Sequence, residues 1–232
     1  MILGSLLPLS EMKAGQHISP HHPDIRYSGR IDKSNKDTVR FDWPGISIGC
    51  RFSGKSIGIR INGGNENHFN LFIDGELVSV YRAPRDTTIT IHPLQRKKTH
   101  DLLLTKRTEA DMGIARFMGF VLEDNGELFP LSETPNRRIE FIGNSITCGY
   151  GTEGNNKDDR FKPDTENTYK SFAAILARAF SADAHFIAHS GKGLVRNYGD
   201  KKSVSDTHDT MPGRYNRTLD SDSSQMWDFG SW

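Results

Sequence analysis

The chain has 232 residues and a formal net charge of +1, with 30 basic and 29 acidic side chains interspersed. This length is enough for one large or two modest domains with a buried core. The balanced charge argues against a nucleic-acid-binding face or a surface for acidic lipids, and no apolar run approaches the ~20 residues that span a bilayer.

The N-terminal stretch MILGSLLPLSEMKAG and the two cysteines leave the cellular compartment open. The stretch has no basic region and only a short apolar run, so it is a poor signal peptide as it stands. It is either the remnant of one or an ordinary N-terminal segment. Cys50 and Cys148 can pair only if the fold brings them together.

Short alternating runs fill the sequence from about residue 25 to 122. Apolar residues recur at every second position in ISIGCRF (46–52) and SIGIRI (56–61), and Asp74-Gly75 between two β-rich runs is typical of a hairpin. Further strands are predicted at 87–92, 100–106 and 115–122. Many short antiparallel strands with tight turns predict a β-sandwich, of jelly-roll type, over residues 15–125.

The pattern changes after the predicted sandwich. A polar segment with two prolines predicts a linker over 126–137. RIEFIG (138–143) and AHFIAH (184–189) are typical of strands buried on both faces. NTYKSFAAILARAF (167–180) has apolar residues at helical spacing, with Asn167 or Thr168 available as N-cap. The order strand, helix, strand predicts an α/β domain with a parallel sheet over 138–232. The sequence predicts a loop from Ser190 onward.

Ser145 follows the first of these strands in FIGNSITCGYG (141–151). Functional groups gather beyond the carboxyl ends of parallel strands, and Gly143 allows a sharp turn and a close backbone approach there. An exposed hydroxyl beside free backbone N–H groups is suited to acyl transfer. The alternative is that Ser145 only forms the turn or caps a helix.

Three stretches together resemble carbohydrate esterase family 2: IEFIGNSITCGYG, HSGKGLVRNYGD and TMPGRYNRT, placed behind a β-sandwich. That family combines an N-terminal jelly roll with a GDSL/SGNH hydrolase domain and removes acetyl groups from xylan or mannan. The resemblance runs from about residue 20 to the end of the sequence. It implies an SGNH-type α/β domain over 138–232, of which this sequence holds the N-terminal part.

The resemblance also assigns roles to individual residues. Ser145 matches the nucleophile, and the backbone N–H groups of Ser145 and Gly191 match two donors of the oxyanion hole, with Gly193 as the alternative to Gly191. Asn144 stands where the family usually has an aspartate, and it supports the turn together with Gly143. An amide can still accept and donate hydrogen bonds there.

Two elements of the family pattern have no match in these residues: the Gly-x-Asn-Asp-like third block and the late histidine that acts as general base. We therefore expect a truncated hydrolase that lacks its base and is inactive or nearly so. His185 and His189 do not match the family's base, although His189 lies beside the oxyanion loop. His208, in SDTHDT, is interpreted as a solvated loop residue.

The remaining candidates concern ligands. HISPHHPD (17–24) is interpreted as a polar loop rather than a metal site, and the resemblance implies neither a metal nor an organic cofactor. Trp227 and Trp232 are candidates for stacking on sugar rings. The expected partner is an acetylated polysaccharide, and the family resemblance implies a secreted or periplasmic protein. The alternative function is non-catalytic carbohydrate binding by the β-sandwich.

Overall fold

The computed structural model describes residues 15–93, 97–205 and 209–232. The apolar N-terminal stretch and His208, both considered above, lie outside these ranges. Within them, every helix is too short or too polar to cross a bilayer.

The elements follow one another along the chain as fifteen strands and three α-helices within the described residues. The strands are β1 (Gln16–Ile18), β2 (Arg26–Ser28), β3 (Val39–Phe41), β4 (Ser47–Ser53), β5 (Ile57–Asn62), β6 (His68–Ile73), β7 (Glu76–Arg82), β8 (Thr87–Ile91), β9 (Thr99–Lys106), β10 (Ala115–Leu122), β11 (Leu128–Phe129), β12 (Arg137–Gly143), β13 (Ala182–Ala188), β14 (Arg217–Leu219) and β15 (Asp222–Met226). The helices are α1 (Ser145–Cys148), α2 (Phe172–Ala179) and α3 (Met211–Tyr215), and short 3₁₀ turns lie at Ala110–Met112, Pro163–Thr165, Thr168–Lys170 and Phe229–Ser231.

Two antiparallel sheets form the predicted β-sandwich of jelly-roll type. One sheet has the order β1-β10-β5-β8 with β3 also on β10, and the other has the order β11-β4-β9-β6-β7 with β2 also on β4. The alternating side chains of β4 and β5 face the core: Ile48, Cys50, Phe52, Ile57, Ile59 and Ile61 are all buried. Burial of these side chains is the main stabilising contribution to the sandwich.

The hairpin predicted at Asp74-Gly75 joins β6 to β7. Both turn residues have positive φ, 52° at Asp74 and 85° at Gly75. Two successive positive φ values characterise the two-residue turn whose twist matches that of the flanking strands. Asp74 also accepts a hydrogen bond from the backbone N–H of Asp101 at 3.0 Å, which ties the turn to β9.

The segment predicted as a linker contributes a short strand to the sandwich. Leu128 and Phe129 form β11, which pairs with Phe52 and Arg51 of β4. Leu128 is buried against the sandwich core. Two residues are too few to show an alternating pattern, so this pairing depends on tertiary contact.

A two-stranded parallel sheet, β12 with β13, follows the sandwich, as predicted for an α/β arrangement. Ala184 and Phe186 of β13 face α2, where they pack on Ala173, Ala174 and Ala177. The expectation that β12 is buried on both faces is wrong, since Ile142 is 51% exposed. Among the described residues β12 has a partner strand along one edge only.

The predicted helix is shorter than its apolar pattern. It begins after Ser171, whose Oγ accepts a hydrogen bond from the N–H of Ala174 at 3.3 Å. Asn167 and Thr168 are therefore not the N-cap. Both are buried against the sandwich instead, where Thr168 Oγ1 donates to the carbonyl of Arg107 at 2.8 Å.

The expectation of a loop throughout the region after Ser190 is also wrong. Residues 211–226 form α3 and the hairpin β14–β15, although their sequence is rich in polar residues. The sandwich holds this hairpin, because Trp43 Nε1 donates to the carbonyl of Thr218 at 3.1 Å. The same region covers the face of the parallel sheet opposite α2, where Tyr215 donates from its hydroxyl to Glu140 at 2.7 Å.

Candidate active site

Ser145 lies where the parallel sheet ends. It is the first residue of α1, separated from the end of β12 by Asn144, and it is half-buried. Asn144 is the N-cap, and its Oδ1 accepts a hydrogen bond from the N–H of Ile146 at 3.2 Å. Asparagine therefore serves the capping role at the position where the family usually has aspartate.

Gly143 is needed for the close approach between β12 and α1. A Cβ at this position would lie 2.1 Å from Oγ1 of Thr147 and 2.8 Å from its Cβ. Real side chains do not pack at these distances. Gly143 therefore lets α1 turn back over the end of the strand, which leaves Ser145 at the rim of a cavity.

The structure brings Ser145 and the 190–193 loop together around one open cavity of about 670 Å³. Its lining consists of Asn144, Ser145, Tyr150, Ser190, Gly191, Lys192, Gly193, Arg196 and Tyr198. Ser145 and both oxyanion candidates predicted from the sequence thus share this cavity. Their catalytic roles stay predictions.

The backbone of the loop favours Gly191 over Gly193 as the donor. Gly191 has a φ of 75°, which is unfavourable for other residues. Its N–H, like that of Ser145, has no hydrogen-bond partner among the described residues. The N–H of Gly193, by contrast, donates to Oδ1 of Asn197 at 3.2 Å.

His189 is part of a buried ion-pair network beside this loop. Its Nδ1 lies 2.5 Å from Oδ2 of Asp220, which is fully buried and also accepts from Arg214 at 2.6 Å. Burial lowers the pKa of His189, but the hydrogen bond and the charge of Asp220 outweigh it and raise the pKa overall. The backbone N–H of His189 donates to the carbonyl of Gly143 at 3.4 Å. His189 therefore links the 190–193 loop to the turn that carries Ser145.

His185, the other histidine in this region, is removed from the cavity. It is buried on the face of the parallel sheet, with its ring stacked on Trp232 at 3.8 Å between centroids. Burial lowers its pKa to about 4. Among residues 15–93, 97–205 and 209–232, no histidine lines the cavity at Ser145.

Trp227 and Trp232 do not reach the cavity either. Both rings contact His185, and Trp232 Nε1 donates to Oδ2 of Asp183 at 3.0 Å. Arg30 lies over the ring of Trp227, 5.5 Å from its centroid. The two indoles cover the sheet face opposite α2, and their stacking on a sugar stays a prediction.

The N-terminal histidines make separate contacts rather than converging. His17 bonds to the carbonyl of Met118 at 3.1 Å and His21 to the carbonyl of Asn35 at 2.8 Å. His17 lies in β1, so the prediction of a polar loop over 17–24 is wrong at its first two residues, which pair with β10.

Within the described residues, one cluster has ligand atoms close enough for a metal: Glu109, Cys148 and Glu166, whose atoms lie within 4.8 Å of one another. The buried ammonium of Lys106 interacts with all three. Burial and the charge of Glu109 raise the pKa of Glu166 to about 8, and burial lowers the pKa of Lys106 to about 8. The chain thus supplies its own cation to this cluster. Cys50 and Cys148 are both buried free thiols.

Several cavity residues were not singled out from the sequence. Tyr198 is 94% exposed, and the ring of Tyr150 stacks on Phe161 with centroids 4.8 Å apart. Arg196 and Lys192 also line the cavity, and Lys192 forms an ion pair with Asp209. The available signal was the position of these aromatic residues inside the two motifs, GYG after Ser145 and RNYGD after the 190–193 loop.

Comparison with known proteins shows which family this chain is similar to. Residues 27–131 match the family model described as carbohydrate esterase 2 N-terminal. The chain is 37% identical over 212 residues to Cellulase/esterase CelE of Acetivibrio thermocellus, covering 91% of this chain and 25% of that protein. It is 32% identical over 162 residues to an acetylxylan esterase / glucomannan deacetylase of Cellvibrio japonicus, covering 68% of this chain and 44% of that protein.

A solved structure agrees with the overall fold. A family two carbohydrate esterase from Clostridium thermocellum, in complex with cellohexaose, superimposes with a TM-score of 0.82 at 37% identity. The match covers 90% of this chain and 62% of that one. The chain thus spans less than half the length of these two curated relatives and under two thirds of the solved one.

Proposed function

Because the chain belongs to carbohydrate esterase family 2, we propose that it removes O-acetyl groups from xylan or glucomannan through an acetyl-enzyme formed on Ser145. The observation that supports this is the shared cavity of Ser145 and Gly191, at the carboxyl ends of two parallel strands. Two backbone N–H groups without partners among the described residues are available there to an oxyanion.

The reaction has two steps. The Ser145 hydroxyl oxygen attacks the acetyl carbonyl carbon, and the tetrahedral intermediate places its negative oxygen against the N–H groups of Ser145 and Gly191. Collapse breaks the ester C–O bond, and the sugar hydroxyl leaves with a proton. Water then attacks the acetyl-enzyme, which releases acetate and restores the serine.

Both steps need a general base. His185 is buried on the sheet face, the Nδ1 of His189 is bound to Asp220, and neither histidine lines the cavity. Because no histidine lines the cavity among the described residues, we propose that hydrolysis of the acetyl-enzyme is slower than its formation from an activated ester such as p-nitrophenyl acetate. The acetylated serine should then accumulate.

The aromatic residues of the cavity suit a polysaccharide. Sugar C–H faces pack on aromatic rings, and the ring of Tyr198 is almost fully exposed at the cavity. The relatives' names include xylan and glucomannan as substrates, and the solved relative holds cellohexaose. We propose that Tyr198 and Tyr150 contact the sugar chain around the acetylated residue.

The test compares the chain with its Ser145→Ala variant on p-nitrophenyl acetate and on acetylated xylan. Intact-mass spectrometry should find one added acetyl group on the parent protein and none on Ser145→Ala. The matched control is Ser223→Ala, at an exposed serine in β15, which should behave like the parent. Equal acetylation and equal turnover in the parent and the Ser145→Ala variant would refute the proposal.

A second candidate, carbohydrate binding without catalysis, is favoured by the exposed Tyr198 together with the absence of a histidine among the described cavity residues. Affinity electrophoresis on xylan and glucomannan separates the two. Binding that persists in Ser145→Ala, disappears in Tyr198→Ala and is accompanied by no deacetylation would favour the binding function.

A further inference from the structure

Glu109 lies in the sandwich, yet its side chain reaches the second half of the protein. It follows β9 and precedes the 3₁₀ turn Ala110–Met112. The residue is 3% exposed. A buried carboxyl group is unfavourable unless donors surround it, so its contacts define what it does.

One side-chain oxygen of Glu109 contacts both halves of the candidate site. Oε2 accepts a hydrogen bond from the backbone N–H of Ser190 at 2.5 Å. The same oxygen accepts from the thiol of Cys148 at 3.8 Å. Ser190 immediately precedes Gly191, and Cys148 is the last residue of α1, the helix that begins at Ser145.

The main chain of Glu109 is held as firmly as its side chain. Its N–H donates to Oε2 of Glu166 at 3.0 Å, and its carbonyl accepts from Nζ of Lys106 at 3.0 Å. Lys106 and Glu166 are also buried. These contacts within and beside the sandwich therefore fix the position of Glu109 independently of the bonds that its carboxyl group makes to Cys148 of α1 and to Ser190.

We propose that Glu109 is a positioning residue that fixes the distance between the nucleophile helix and the oxyanion loop. This inference rests on the proposed function, because that function assigns roles to Ser145 and Gly191. It adds that the sandwich forms part of the catalytic scaffold, since the group joining the two loops comes from the β9–β10 connection. The hydroxyl and the oxyanion donor must be placed to within a fraction of an ångström for catalysis.

Hydrogen exchange measured by mass spectrometry tests the link without requiring turnover. In Glu109→Ala, peptides covering 189–193 should exchange about tenfold to a hundredfold faster, because the N–H of Ser190 loses its carboxyl acceptor. Peptides covering 145–150 should exchange about threefold to tenfold faster, because the donor that is lost there is the weaker thiol of Cys148. Peptides from β4 should change less than about twofold. Glu109→Gln keeps one acceptor oxygen and should give an intermediate effect, and it covers the case in which the alanine variant folds poorly.

The matched control is Glu76→Gln, at an exposed glutamate of β7, which should leave both loops unchanged. Unchanged exchange in the two loops of both Glu109 variants would overturn the proposal. A rise of equal size in the loops and in β4 would also overturn it, because it would show a general loss of stability.

The catalytic readout is the rate of acetyl transfer from p-nitrophenyl acetate to the protein. Glu109→Gln should lower the maximal rate about tenfold or more while the half-saturating ester concentration stays within about twofold, since the residue does not touch substrate. If the parent and Ser145→Ala do not differ, the proposed function fails, and the exchange result still decides whether Glu109 holds the two loops together.

Discussion

Asp42 connects the sandwich to the β14–β15 hairpin, and its removal is the perturbation with the most directly calculable cost. It follows β3 and is fully buried. Oδ1 accepts from the N–H of Asp220 at 2.8 Å, while Oδ2 accepts from the N–H and the hydroxyl of Ser221 at 2.9 and 2.6 Å. The turn that Asp42 holds presents Asp220 to His189.

The expected cost of Asp42→Ala follows from the burial of each donor. The N–H of Asp220 is fully buried, so leaving it unpaired costs ~1–3 kcal/mol. Ser221 is exposed, so water can replace part of what its two groups lose, at ~0.5–1 kcal/mol each. We expect Asp42→Ala to destabilise the protein by about 2 to 5 kcal/mol, which for this size lowers the melting temperature by about 4 to 20 °C.

The assay is thermal unfolding followed by circular dichroism and by tryptophan fluorescence. Asp42→Asn keeps one acceptor oxygen but directs an amide group at donors, so its loss should be intermediate. The matched control is Asp37→Ala, at an exposed aspartate in the preceding loop. A change of less than about 0.5 kcal/mol in Asp42→Ala would refute the inference that this carboxyl group holds the hairpin.

Three further predictions concern the turn, the buried carboxyl group and the thiols. Gly143→Ala should abolish serine-dependent acetylation and cost about 1 to 3 kcal/mol in denaturant unfolding, because its Cβ would overlap Thr147; Thr147→Ala in the same chain should restore part of the stability. The raised pKa of Glu166, about 8 in the folded chain against an ordinary value of 4.5, means that the unfolded chain releases this proton first. The contribution of Glu166 to the free energy of unfolding should therefore fall as pH rises from 4.5 to 8. The difference in free energy of unfolding between the parent and Glu166→Gln should change across this pH range, and a constant difference would contradict the raised pKa of Glu166. Burial raises the pKa of both thiols, Cys50 and Cys148, so iodoacetamide should modify neither in native protein and both in urea, as counted by mass spectrometry.

The sequence predicted those parts of the fold whose pattern is local. The alternation in β4 and β5 identified strands because one face of each packs in the core, and Asp74-Gly75 identified a hairpin because the two positive φ values favour these residues. In α2 the apolar pattern was misleading in detail. Alanines face the sheet, and the large residues Phe172, Ile175 and Leu176 are each more than 40% exposed.

Elements that depend on distant contacts were missed. The β14–β15 hairpin has a polar sequence, DSSQM in β15. It is ordered by Trp43 and Asp42, which lie about 180 positions earlier in the chain. The local sequence of the hairpin does not indicate that it will contact residues so far away in the chain.

The candidate site also combines parts that follow from local sequence with parts that depend on distant contacts. The turn around Ser145 is local, so FIGNSITCGYG predicted the close approach at Gly143. The short helix after it was not predicted, and its N-cap is Asn144 rather than Ser145. The positions of Trp227 and Trp232 depend on where the chain returns after β15, and they lie on the sheet face rather than at the cavity. Glu109 had no sequence signal, since its role arises from two loops that meet it only in the folded chain.

The contacts between the sandwich and the parallel sheet indicate that the two form one folded unit. Arg107 is almost fully buried at this contact, where it donates to the carbonyls of Glu166 and Asp164 at 3.2 and 2.8 Å and pairs with Glu153. Ile187 of β13 also packs in the sandwich core. A buried guanidinium is stabilised only while its acceptors stay in place. Separating the two parts would therefore leave Arg107 without its acceptors and expose core surface. Because the two parts are held together in this way, a carboxyl group of the sandwich can set the geometry of the candidate site.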